Sequence, residues 1–394
     1  MRAYHKQDYY LAITTIILVV FGLVMVSSAS VVQSYQATGS NNFYFFRQSG
    51  FALAGVVAWW FFSKLDYHFW KRWATTLLII AGILLVLVLI PGIGVESGGA
   101  RRWIAIAGQT FQASEFAKLA IIVYLAYWFE NKGHKITDFY ATFLPFVMIL
   151  VVAFLLIMQQ PDLGTAMSLA LTAGTMYMVA GATWGQLAAL VGTGLGGIFL
   201  LIKLEPYRLS RFLTFLNPSS DPLGAGYHIN QALLAIGSGG LFGLGYGRSR
   251  QKYNFLPETA SDSIFAIIGE ELGMIGCVAL IIGFAIVIWR GLLIARRAPD
   301  MFGRMLALGI TCWIGYQAVL NMGALVGLFP LTGIPLPFIS LGGTSLLMIL
   351  AASGILLNIS KQTIITHKDE NLVGGWGDWW SHLTNAGGRK GLKS

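Results

Sequence analysis

Long apolar runs recur along almost the whole of this chain, and they decide the solvent in which it folds. A run of roughly 18 or more apolar residues can cross a bilayer's hydrocarbon core as a helix, and about ten such runs can be marked here. Composition agrees: 56% of the residues are hydrophobic and only 11% are charged. The mean hydropathy of +0.68 lies well above that of an ordinary soluble domain. The sequence therefore predicts an all-α integral membrane protein. Its helices are expected at roughly 9–30, 45–63, 73–90, 115–130, 140–158, 162–181, 186–203, 262–289, 304–328 and 337–359. The first run, around Leu11 to Ser30, is too long for a signal-peptide core and many more follow, so it reads as a retained span. Residues 1–365 are expected to form one polytopic membrane domain. Residues 366–394 read as a disordered cytoplasmic tail that touches the membrane surface through Trp376, Trp379 and Trp380.

An even number of crossings puts both termini on one side, and basic residues choose which side. Arg2, Lys6, Lys64, Lys71, Arg72, Lys132, Lys135, Arg290, Arg296, Arg297, Arg304 and Lys361 all fall on the terminus side, which is therefore expected to be cytoplasmic. A second set of cations opposes this bias. Arg101 and Arg102 follow the third helix, and Arg208, Arg211, Arg248, Arg250 and Lys252 lie in the long loop 204–261 between the seventh and eighth. Long outer loops translocate whatever their charge, but no local acids balance these clusters, so they are read as facing an anionic ligand outside. Cys277 and Cys312 sit in apolar runs without metal-like spacing and read as core thiols. The six histidines do not cluster, which speaks against zinc.

The long loop carries GSGGLFGLGYGRSRQK, residues 237–252. Its glycines permit positive φ and close backbone approach. A flexible loop and a phosphate cradle are both compatible with it, and it matches neither a Rossmann nor a P-loop signature. The stretch 91–114 alternates apolar and polar residues around Trp103 and is expected to lie along the outer interface. Glu115 and Lys118, three residues apart, share one helix face; they read as an ion pair or as a polar site turned into the bundle. Asp162 follows Pro161 at a short outer turn, where it can start the next helix. Asn321 to Ser345 holds several prolines and glycines; such a segment cannot be one smooth helix, and broken backbone at membrane depth must line a cavity or be buried in protein.

FLPETASDSIFAIIGEELG, residues 255–273, places Glu258, Asp262, Glu270 and Glu271 where a polar loop enters an apolar helix. Spacing alone favours a capping role, because Thr259-x-x-Asp262 fits a capping box and an acid suits a helix's first turn. Glu258 can orient the loop or bind a cation. Glu270 and Glu271 are expected to be structural or gating, one of them paired with a cation from another helix.

Taken in order, GGARRWI, SEFAKL, QPDLGTA, the block from Glu205 to Lys252, LPETASDSIFAIIGEELG and the Pro/Gly-rich block resemble the SEDS family (shape, elongation, division and sporulation), and most closely its division-type FtsW branch. The resemblance covers nearly all of the chain except the tail. It implies a ten-helix fold and a peptidoglycan glycosyltransferase that polymerises lipid II, with an undecaprenyl-diphosphate glycan as donor, outside the bacterial cytoplasmic membrane. It makes Asp262 the catalytic carboxylate, acting as general base on the attacking sugar hydroxyl. Arg101, Arg102, Glu115, Lys118, Asp162, Arg208, Arg211, Arg248, Lys252, Glu258 and Ser340 are then the candidates for substrate binding, the cations among them matching the leaving diphosphate. A divalent cation, Mg or Mn, is a further candidate for that role. The family's usual TDFIFA reads SDSIFA here, and its frequent QPSEF has Ala113 in place of proline. Expected partners are a class B penicillin-binding protein, which supplies transpeptidation, and other division proteins; nucleic acid is not expected. The alternatives are an elongation-type (RodA-like) polymerase, a flippase that moves lipid II without chemistry and an inactive scaffold.

Overall fold

The computed structural model describes residues 7–97, 100–106, 108–204 and 226–363. Twelve α-helices and one small sheet follow in order: α1 (Tyr9–Ala29), α2 (Val31–Thr38), α3 (Phe43–Lys64), α4 (His68–Leu89), β1 (Gly94–Ser97), β2 (Ala100–Ile106), β3 (Gln109–Gln112), α5 (Ala113–Lys132), α6 (Leu144–Met158), α7 (Leu163–Ala180), α8 (Trp184–Leu204), α9 (Tyr227–Gly239), α10 (Ile264–Arg297), α11 (Met301–Leu325) and α12 (Gly343–Lys361). Each of the ten apolar runs overlaps a described helix, although the last two extend into irregular backbone. Seven of the described helices are long and apolar enough to cross a membrane: α1, α4, α6 together with the π-helical turn Phe139–Phe143 before it, α7, α10, α11 and α12. The loop before α10 is less loop-like than the sequence predicts, because α9 runs through it and packs on α10.

The bundle has a buried centre and a lipid-facing rim. In α11 and α12 the apolar windows are 83% and 89% buried, against 22% for α4 and 28% for α10. α12 packs on α3, α11 contacts α5, α7 and α10, and α10 also packs on α1. The outward surfaces of α1, α4 and α10 stay apolar, with Ile17, Ile83 and Ile282 among their exposed side chains. That pattern suits a bilayer, where apolar side chains need no protein cover.

One end of the bundle is closed by polar ties. Asp8 caps α1 through Leu11 N at 3.0 Å and holds Arg290 at 2.6 Å. Tyr67 donates to Asp300 at 2.5 Å. Burial first, and then Asp300, push that phenol above its usual range, so it remains a donor. Lys71 pairs with Glu130 at 2.7 Å, and Lys361 donates to the Ser63 carbonyl at 2.7 Å.

The opposite end carries the irregular backbone. The alternating stretch around Trp103 folds as an antiparallel meander, β1-β2-β3, with Trp103 opposite Val95 on one side and Gln112 on the other. Between α11 and α12, residues 326–342 form no regular element, as the prolines of that block dictate. The sheet is tied to this segment's end by Thr344 Oγ1, which donates to the Thr110 carbonyl at 3.0 Å.

Candidate functional site

Asp262 lies in the turn before α10 and is half-buried. The helix begins at Ile264 with Ser263 as its N-cap residue, and Ser263 makes no side-chain cap bond. Asp262 thus precedes the cap, and Thr259 turns away to donate to the Ala29 carbonyl at 3.1 Å, so the capping-box arrangement does not form. Two chain segments fix the backbone around Asp262, α11 and residues 334–341. Asn321 on α11 donates through Nδ2 to the carbonyls of Asp262 and Ile334, both at 2.8 Å. Ser340 Oγ donates to the Ser261 carbonyl at 2.5 Å and accepts from Leu336 N at 2.8 Å. Leu341 N donates to the Ala260 carbonyl at 2.8 Å. The carboxylate faces Gly333, which has φ +67°, and a Cβ there would lie 3.4 Å from Oδ2.

Two flanking residues shape the turn. Glu258 is exposed with φ +50°. Its carbonyl accepts from Ser261 N and Ser263 N, and its carboxylate accepts from Ser261 Oγ at 2.6 Å. A non-glycine residue held at positive φ is uncommon and marks a backbone constrained by its surroundings. Ser263 donates to the Pro257 carbonyl at 2.8 Å and meets His228 Nε2 of α9 at 2.7 Å.

The deeper carboxylates answer a different need. α10 breaks at Gly273, whose φ is +68°. A break frees carbonyls and amides that lipid cannot solvate. The glycine loop meets them: Leu244 N and Gly245 N donate to the Glu270 and Glu271 carbonyls at 2.9 and 3.0 Å, while Met274 N donates to Gly240 O at 2.9 Å. The two side chains hold the rest of the loop. Glu270 accepts from Ser249 Oγ at 2.5 Å and Arg250 N at 2.8 Å. Glu271 accepts from Ser28 Oγ at 2.7 Å and from Lys252 Nζ at 3.1 Å. The expected cation is therefore Lys252 of the loop, not a cation on another helix.

The remaining candidates divide by what already occupies them. Lys118 and Glu115 are 1% and 0% exposed and pair at 2.9 Å. Lys118 also donates to Gln317 Oε1 at 2.7 Å, and Gln317 Nε2 reaches the Pro335 carbonyl at 2.9 Å, so this pair supports the Pro/Gly segment from below. Lys252 is buried and also donates to the Gly247 carbonyl at 2.7 Å. Asp162 caps α7 through Thr165 N at 3.0 Å. Arg102 pins the turn before α7, donating to the carbonyls of Gln160 at 2.9 Å and Pro161 at 2.5 Å. Arg101 pairs with Glu96 at 3.2 Å on the sheet, and Arg248 is exposed. Arg208 and Arg211 lie outside the described residues, as does the tail. Among the described residues no three His, Cys, Asp or Glu side chains are grouped to hold a metal ion.

A family model described as "Cell cycle protein", named for FtsW, RodA and SpoVE, matches residues 9–365. The chain belongs to the FtsW/RodA/SpoVE family. Among relatives of this family, stage V sporulation protein E of Bacillus subtilis is 46% identical over 356 residues, covering 90% of this chain and 97% of that protein. A probable peptidoglycan glycosyltransferase FtsW of Trichlorobacter lovleyi is 44% identical over 370 residues, covering 92% and 96%. In solved structures, RodA of Thermus thermophilus superposes with a TM-score of 0.68 at 27% identity, covering 92% of this chain and 99% of that one. A chain from a peptidoglycan synthase complex that coordinates polymerization and crosslinking superposes with a TM-score of 0.73 at 26% identity, covering 90% and 97%. Within the FtsW/RodA/SpoVE fold, several residues that hold the site here are not among the charged candidates of the sequence. Gln48, Gln317 and His228 carry no sequence signal beyond being polar in or beside apolar runs; only the known fold shows that they meet the Asp262 turn and the 335–342 segment.

Proposed function

We propose that this chain is a peptidoglycan glycosyltransferase that polymerises lipid II into β-1,4 glycan strands on the outer face of the cytoplasmic membrane, for septal wall synthesis. The observation that carries the reading is Asp262: a half-buried carboxylate in a turn whose backbone is fixed by α11 and by the 334–341 segment. Family membership supports glycosyl transfer as the chemistry that this carboxylate serves. Asp262 takes the proton of the acceptor sugar hydroxyl as its oxygen attacks the donor's anomeric carbon. The bond from that carbon to the diphosphate breaks, and the diphosphate leaves with the electron pair. Single displacement on an α-linked donor gives a β linkage without a covalent enzyme intermediate. A base of this kind contributes about 10²–10⁴-fold.

The leaving diphosphate needs positive charge. Arg248 is exposed and Arg101 sits half-buried in a pair with Glu96 on the sheet, whereas Lys118 and Lys252 are buried in internal ion pairs. Mg²⁺ binds through one or two carboxylates together with substrate phosphates; Glu258 and Asp262 are the carboxylates on this rim that would hold it, and it would supply charge to the leaving group. The strong basic bias at the other end supports cytoplasmic termini and an extracytoplasmic Asp262. A class B penicillin-binding protein is the proposed partner, supported by the likeness to a synthase that couples polymerization with crosslinking.

The test is direct. Purified full-length protein, with and without the transpeptidase, is given lipid II and the products are separated by length. Wild type forms strands, and Asp262→Asn does not while still binding lipid II. Full activity in Asp262→Asn overturns the base assignment. Chelation by EDTA reports on the metal: unchanged polymerisation removes the divalent cation from the proposal.

A further inference from the structure

A cavity of about 600 Å³ opens between the α2–α3 turn and the sheet, lined by Ser40, Phe43, Phe46, Arg47, Gln109 and Thr110 among others. It contains none of the residues discussed as substrate candidates above. Arg47 is half-buried, and its guanidinium donates to a neutral hydroxyl, Thr110 Oγ1, at 3.1 Å. Among the described residues it has no carboxylate partner, unlike Arg290, Lys71 and Lys252. A guanidinium with unused donors is the side chain that best matches phosphate oxygens. Phe43 and Phe46 beside it are 41% and 67% exposed, an apolar wall of the kind that an acyl or prenyl chain covers.

The cavity also lies at the Asp262 end. Gln48, the next residue after Arg47, donates to the Ser340 carbonyl at 3.1 Å and accepts from Gly342 N at 3.2 Å. Ser340 in turn holds the Ser261 carbonyl. The Arg248 loop is tied to different elements, α10 and α1. Transfer between two lipid-linked saccharides requires two seats for phosphate, and these two cationic edges are carried by separate parts of the fold.

We propose that the Arg47 cavity seats the phosphate-bearing headgroup of one of the two polyprenyl-linked substrates, with its chain running out along Phe43 and Phe46; the proposal rests on the glycosyltransferase reading above. The phosphate binds Arg47 and the Ser40 hydroxyl, and Gln48 couples its presence to the segment that positions the Asp262 turn.

The experiment uses the full chain in neutral phosphatidylcholine nanodiscs with fluorescent lipid II as probe. Arg47→Gln weakens probe binding by about tenfold, the fold-change of one lost charged contact, and raises KM in polymerisation. Ser40→Lys, which adds a cation to the same rim, tightens binding several-fold, a gain that misfolding cannot mimic. Unchanged binding in both variants, with unfolding midpoints like wild type, overturns the proposal. Displacement of the probe by phosphatidylglycerol as readily as by unlabelled lipid II also overturns it, by making the occupant a bulk phospholipid. Wild type that forms no glycan strands sinks the enzymatic reading itself, whereas an active wild type with an indifferent Arg47→Gln sinks only this site.

Discussion

Some of the buried charge in this molecule is held in pairs, and single residues show what each pair does. Glu271 is 0% exposed and Lys252 4%. Removing one partner of such a pair leaves the other charge buried alone, at about 3–5 kcal/mol, whereas replacing both by apolar groups is often close to neutral. Lys252→Met is therefore expected to lower the unfolding midpoint in detergent strongly, and Lys252→Met with Glu271→Leu to recover much of the loss. Equal destabilisation in the single and double variants would contradict a pairing role. Asn321 does a different job with two neutral bonds. Asn321→Ala leaves the Asp262 and Ile334 carbonyls without their donor, a cost of about 1–3 kcal/mol per buried group. Because one of those carbonyls belongs to Asp262, the proposed base, the expected signature is a fall in kcat of about tenfold or more with KM little changed. A change in KM alone would place Asn321 outside the positioning of Asp262. Of this chemistry the sequence shows the charged members and not their roles. Glu115 and Lys118 are legible as neighbours on a helix, but that Gln317 ties them to Pro335 depends on two segments meeting across the bundle.

At the scale of elements, the apolar runs make every long helix visible before any coordinates, and the breaks are harder to see. The prolines of 330–337 announce an interruption because proline cannot continue a helix. Gly273 announces nothing, since a lone glycine inside an apolar run is equally compatible with a straight helix. What reveals the break is the loop beside it, whose amides at Leu244 and Gly245 need the carbonyls that the break releases. Loop glycines compatible with a flexible loop or a phosphate cradle thus serve the close approach to α10: a Cβ at the loop's Gly243 would collide with the Glu271 carbonyl. α9 was hidden for the opposite reason, since its 13 residues fall short of a spanning run. Gly273→Ala is expected to cost more than the ~1–3 kcal/mol of a strained φ alone, because the loop must also move. Hydrogen exchange reads this locally: the Leu244 and Gly245 amides should lose protection in the variant while the amides of α12 keep theirs. Retained protection at those two positions would mean that the loop does not depend on the break.

The whole molecule separates its two ends by the kind of polar contact each makes. At one end, ion pairs and caps among Asp8, Arg290, Lys71, Glu130, Asp300 and Lys361 tie the helix termini together. At the other, side-chain amides and hydroxyls of Gln48, Asn321, Ser340 and Thr344 hold irregular backbone in place. The first arrangement suits a surface rich in basic residues, which cells retain on the cytoplasmic side. The second suits a site that must keep an exact shape while remaining open to a polar substrate. The proposed orientation rests on this asymmetry, and it can be checked without any activity. Tyr253 is 60% exposed on the loop before α10, and Arg72 is exposed near the start of α4. The native thiols give little background, because Cys277 is buried and Cys312 half-buried, and thiols in apolar surroundings are unreactive. Tyr253→Cys in intact cells is expected to react with a membrane-impermeant maleimide, and Arg72→Cys only after the membrane is opened. The reverse pattern would put Asp262 on the cytoplasmic side, where lipid-linked saccharides awaiting polymerisation are not presented, and the proposed reaction would lose its site of action.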